Sequence, residues 1–193
     1  MREYFLTAEE RRELLGIARM AIASKFEGSE PSNPSPSGGL AAPAGAFVTL
    51  KKRGELRGCV GRIVGGPPLV ETVARMAEDA AFGDPRFPPL QATELPDITI
   101  EISVLTPLEP CKADDVHIGV HGALLSVGFH RAVFLPQVAT EQGWNLLDFF
   151  SHLSRKAGLP FDAWRSSEAE IHRFRALVFG EGEQEDGDQR ADT

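Results

Sequence analysis

Cysteine is scarce in this 193-residue chain, which holds two, Cys59 and Cys111. Neither has a CxxC or Cys–His cluster around it, so a zinc site and a disulfide framework are excluded and reduced, intracellular thiols are expected. Long apolar runs are also missing: no segment approaches the roughly eighteen consecutive apolar residues of a membrane span. The opening MREYFLTAEERRELLG carries no basic leader followed by an apolar run. A cytoplasmic protein with no membrane partner is therefore expected. There is no P-loop, no dinucleotide fingerprint after a strand and no cysteine triad for an iron–sulfur cluster, so no cofactor and no metal are expected.

Positive charge is in deficit as well. The formal net charge is −8, which opposes binding to a phosphate backbone and makes nucleic acid a disfavoured partner. In the segment 181–193, EGEQEDGDQRADT, six acids (Glu181, Glu183, Glu185, Asp186, Asp188, Asp192) stand against Arg190 alone, leaving −5 of the −8 there. Such a stretch reads as a solvated, disordered acidic tail following a domain over 1–180. With 42% hydrophobic and 25% charged residues, the chain as a whole is of the globular class.

Within 1–180 the patterning is mixed. TAEERRELLGIARMAIASKF pairs Thr7 with Glu10 as a capping box and repeats Leu14, Ile17, Ala18, Ala21 and Ile22 at helical spacing. The Pro/Ser/Gly-rich stretch 27–46 predicts an exposed loop. AFVTLKK and ELRGCVGRI predict a hairpin with Gly54 in its turn, and LVETVARMAEDAAF a helix stopped at Gly83. Residues 83–97, punctuated by proline, read as irregular. DITIEISVLTP alternates as a strand with one wet face, VHIGVHGALLSVG and HRAVFLPQV form a second hairpin, NLLDFFSHLSRKAGL a helix ending at Gly158, and AEIHRFRALVF a last strand. This order implies an α+β fold with a mainly antiparallel sheet flanked by helices.

ELRGCVGRI is the stretch that bears on chemistry. Gly58 and Gly61 permit close backbone approaches around Cys59, and Arg57 and Arg62 flank it. Cationic neighbours would lower the thiol pKa from about 8.5 and activate a nucleophile. Strand alternation puts Arg57 on the face of Cys59 and Arg62 on the other, unless a glycine bulge turns it. Equally, Cys59 reads as a small apolar filler packed on the helix at 69–82, and Arg57 as an ion-pair partner of a carboxylate such as Asp84. In GDPRFPP, Asp84 accepts turn donors and Phe87 anchors the loop, while Arg86 either serves the turn or joins Arg57 around a small anionic ligand. His121, between Gly119 and Gly122, is the histidine placed to act as a base for Cys59; His117, His130, His152 and His172 read as ordinary surface or strand residues. Glu101 is either a strand base or a solvated charge, and Gln137, Trp144 and Asn145 either line a cleft or pack.

LRGCVG, FGDPRFPPL, ISVLTP and LPQVATEQGW, in that order, resemble the AMMECR-one domain family, whose prokaryotic members include the protein A of the AmmeMemoRadiSam system. The resemblance runs from the first helix to about residue 180. It implies a compact α+β domain whose N- and C-terminal parts build a larger unit, with a smaller lobe formed by a middle segment. It brings no established reaction. It implies instead an association with Memo-like and radical-SAM proteins, in an unassigned modification pathway or as a non-catalytic protein- or anion-binding module; a link to nucleic acid is the third reading. The long Pro/Ser stretch and the acidic tail depart from the family's simplest pattern.

Overall fold

The computed structural model describes residues 6–29 and 37–182, which gather into two compact units. The acidic stretch from 183 onward and residues 30–36 of the Pro/Ser-rich loop lie outside the described residues.

The first unit takes residues up to Val104 and again from Leu177. Helix α1 (Ala8–Glu27) begins on the capping box: Glu10 N–H donates to Thr7 Oγ1 at 3.1 Å, and Thr7 N–H to Glu10 Oε2 at 2.9 Å. It ends at Gly28 in the left-handed region, φ 66°. Its stripe of Leu14, Ile17, Ala18, Ala21 and Ile22 is fully buried, as the spacing predicts. Strands β1 (Gly45–Lys52) and β2 (Glu55–Arg62) form an antiparallel hairpin whose two-residue turn uses Arg53 at φ 53° and Gly54 at φ 85°. Positive φ at both positions gives the twist the hairpin needs. Helix α2 (Leu69–Phe82) packs on α1, β1 and β2. Strands β3 (Ile98–Leu105) and β8 (Ala176–Gly180) complete a four-stranded sheet in the order β2-β1-β3-β8. Val48, Leu50, Ile100, Ile102 and Phe179 meet the apolar stripes of the helices in one core.

The second unit, Leu105–Ala176, has its own sheet, β4-β7-β5-β6, from β4 (Glu109–Pro110), β5 (Gly122–Val127), β6 (His130–Phe134) and β7 (Ala169–Phe174), with each pairing antiparallel. Helices α3 (Pro136–Glu141) and α4 (Leu146–Lys156) belong to it, and Phe149, Phe150 and Leu153 of α4 close its core over Ala123, Leu125 and Ile171.

Four expectations need correction. The loop reading of 27–46 fails at its C-terminal end: residues 38–41 form a 3-10 turn with Leu40 only 2% exposed, and β1 already begins at Gly45. LPQVATEQGW starts a helix, because Pro136 at the first helical position lacks an N–H that would otherwise go unpaired. The final strand is two: Arg175 exchanges backbone and side-chain bonds with Thr106, so β7 and β8 join different sheets. Residues 92–97 are a 3-10 helix fixed by Glu94, whose carboxylate accepts the N–H of Gln91 at 3.0 Å.

Candidate functional site

In β2 the ladder pairs Leu50 with Gly58 and Lys51 with Leu56, so Arg57 is the extra residue of a bulge. The bulge sits at the arginine, not at a glycine. Gly58 is buried under α2, where a Cβ would stand 2.1 Å from the carbonyl oxygen of Ala80. A Cβ on Gly61 would stand 2.1 Å from the ring of Phe47. Both glycines are therefore required by packing within the first unit.

Cys59 is half-buried, opposite Thr49, whose hydroxyl donates to its Sγ at 3.3 Å. Its backbone is held by the DPRF segment. Cys59 N–H donates to Asp84 Oδ2 at 2.9 Å, and Arg86 Nη2 donates to the Cys59 carbonyl at 3.3 Å. Arg86 also grips Asp84 through Nε and Nη2 at 3.0 and 2.7 Å, and its own backbone N–H adds a bond at 3.1 Å. The Asp84 side chain is 3% exposed, and the Arg86 side chain 56%. The guanidinium foremost, then the backbone donors at Cys59 and Arg86, hold the Asp84 carboxyl far below the usual carboxylate range despite burial.

Arg57 pairs with a carboxylate, but with Glu94 and not with Asp84. Its Nε and Nη2 donate to Glu94 at 3.1 and 2.9 Å, and Lys52 Nζ donates to the same group at 2.9 Å. Arg57 first, then Lys52 and the Gln91 N–H, lower the Glu94 pKa to about 2. Arg57 Nη1 is buried and has no hydrogen-bond partner among the described residues. The two guanidinium carbons stand over the ring of Phe87, at 6.0 Å for Arg57 and 5.5 Å for Arg86. Cys59, Asp84, Arg86, Phe87, Arg57 and Glu94 thus form one continuous cluster.

Other candidates lie elsewhere. Arg62 is exposed beside Gly66. Glu101 pairs with Lys51 at 2.7 Å. His121 belongs to the second unit, 7% exposed, with its Nδ1 accepting the His117 backbone N–H at 3.0 Å. In that unit Trp144 stacks on His152 with ring centroids 4.2 Å apart, and Asn145 caps α4 by accepting the Asp148 N–H. Gln137 lies in α3. Sequence reading missed Glu94 and Thr49. Glu94 was legible three residues after Gln91, the spacing of a helix-start acid, whereas Thr49 is set by strand register alone. Among the described residues, no group of three or more His, Cys, Asp or Glu is gathered as a metal site, and no helix is long and apolar enough to cross a membrane.

Comparison with known proteins adds to this geometry. The family model AMMECR1 matches residues 15–179. The chain belongs to the AMMECR1 domain family. A protein of Methanothermobacter thermautotrophicus is 41% identical over 91% of this chain and 96% of its own length, and protein MK0488 of Methanopyrus kandleri is 44% identical over 93% and 92%. The crystal structure of the uncharacterized protein PH0010 from Pyrococcus horikoshii superposes with a TM-score of 0.82 at 32% identity, covering 88% of this chain and 90% of that one. The α+β class of this AMMECR1-family chain is thus shared with a solved structure.

Proposed function

We propose that this AMMECR1-family protein is a non-catalytic binding module of the cytoplasm, whose Arg57–Phe87–Arg86 stack receives a carboxylate or phosphate oxygen carried by a protein partner. Memo-like and radical-SAM proteins are the partners the family resemblance supplies, in a modification pathway. One observation carries the reading. Asp84 and Glu94 each accept four donors, so the buried polar groups of the cluster are closed on one another except Arg57 Nη1, a buried donor without a partner among the described residues. A buried guanidinium N–H left unpaired costs on the order of 1–3 kcal/mol, which an incoming oxygen would recover. Because two carboxylates already compensate the arginines, a free anion gains little from charge alone; the exposed Pro88 and Pro89 that directly follow Phe87 favour an anion presented by a protein.

The test is isothermal titration of each purified partner into wild type, R57K and C59A. Wild type and C59A should bind alike, and R57K at least tenfold more weakly, because lysine cannot keep Glu94 bidentate and also offer a third donor. Failure of both partners to bind would sink the reading.

The Thr49 hydroxyl directed at Sγ favours a second reading, in which Cys59 acts as a nucleophile. It requires native Cys59 to react with iodoacetamide at neutral pH faster than the denatured chain does, and C59S to abolish partner activity.

A further inference from the structure

The turn leading into β5 is closed twice by the same two residues. His117 donates its backbone N–H to Nδ1 of His121 at 3.0 Å, and His121 donates its backbone N–H to the His117 carbonyl at 2.9 Å. The first bond fixes the tautomer: Nδ1 is the bare, accepting nitrogen, and the proton sits on Nε2. The rings meet edge to face with centroids 5.3 Å apart. Gly119 at φ 81° makes the bend, and Val116, immediately before it, is 3% exposed in the core of the second unit.

We propose that His121 is a proton-operated latch: a proton on Nδ1 replaces the acceptor with a second donor facing the His117 N–H, so that the turn 117–121 opens and Val116 leaves the core. The titratable and charged groups that act on the ring are Arg173 of β7, Arg175, the neighbouring His117, and Glu109 of β4. The first three oppose a further positive charge and Glu109 favours it. Burial first, then the two arginines, hold His121 below the ordinary histidine value of 6.5, which keeps the latch shut at neutral pH and sets its opening in acid. No covalent change is involved, and the opening reverses when the proton leaves. The motif cluster around Cys59 takes no part, so this device and the binding reading stand or fall separately.

Amide hydrogen exchange followed by NMR tests it. In wild type, the protection of the His117 N–H, corrected for intrinsic exchange, should fall roughly tenfold per pH unit once the imidazole titrates. H121N places an amide oxygen where Nδ1 sits and does not titrate, so its His117 protection should stay flat over the same range. Wild-type protection that ignores pH, or an identical loss in H121N, would overturn the latch. Should H121N fold poorly, the long-range proton–nitrogen spectrum of wild type decides: the Nε2–H form, titrating in step with loss of the His117 amide, is expected, and the Nδ1–H form refutes it.

Discussion

Asp84 holds Cys59 by its backbone, not by its sulfur: Cys59 N–H donates to Asp84 Oδ2 at 2.9 Å while Arg86 Nη2 meets the Cys59 carbonyl at 3.3 Å. Strand β2 lies at the end of its sheet, where outward N–H and C=O groups would template another strand. The carboxylate and guanidinium occupy those two groups at Cys59 as a neighbouring strand would. The D-x-R spacing is thus a clasp on a sheet edge.

Removing the clasp's arginine should therefore cost more than removing its carboxylate. D84A orphans the Cys59 N–H but leaves a guanidinium that is 56% exposed and open to water, and should lose about 2 kcal/mol in urea unfolding, whereas R86A leaves a carboxylate that is 3% exposed with two backbone donors and no counter-charge, and should lose about 3 kcal/mol. Equal losses, or a D84A loss under about 1 kcal/mol, would show that the edge does not depend on the pair.

The two motif glycines make different demands. At Gly58 an added methyl meets the backbone of α2, which cannot move without the helix, so G58A should cost about 3 kcal/mol or more. At Gly61 the obstacle is the Phe47 ring, and G61A should be partly rescued by F47A in a double-mutant cycle. A neutral G58A would mean that the glycine answers to something other than Ala80.

How much of this was legible beforehand differs from residue to residue. Periodicity placed α1, α2 and α4, because burial of one stripe dictates the spacing of apolar residues whatever the rest of the fold does. Gly54 announced its turn, since few residues tolerate positive φ, but Arg53 in the same region carried no such mark. The break between β7 and β8 was invisible: both halves alternate alike, and the division rests on bonds between Arg175 and Thr106, far apart in sequence. Within the cluster, the adjacency of Arg57 to Cys59 is a matter of sequence, whereas the bond from Arg86 to the Cys59 carbonyl joins residues 27 apart and no local pattern announces it. Which carboxylate each arginine takes was not legible either, because a bulge at Arg57 redirects its side chain to Glu94.

Cys59 itself should matter little to stability. Asp84 and Arg86 bind its backbone, so C59A keeps both contacts and forfeits only a small half-buried side chain and the Thr49 contact. The expected loss is about 1 kcal/mol or less, read as a melting-temperature shift of a few degrees. A larger loss would assign the thiol a packing role that its exposure does not suggest.

Acid should reach Glu94 before Asp84. Its pKa is about 2 in the fold against an ordinary 4.5, so the unfolded chain binds the proton first as pH drops. The stabilisation is complete above about 4.5 and disappears as pH falls toward 2, with Asp84, also depressed, losing its share lower still. With its side chain 16% exposed, Glu94 should supply about 2–3 kcal/mol of this pH-dependent stability. E94Q keeps an oxygen for Arg57 but does not titrate, so urea unfolding between about pH 7 and pH 3 should give it a shallower slope than wild type. Parallel slopes would place the acid sensitivity at other carboxylates.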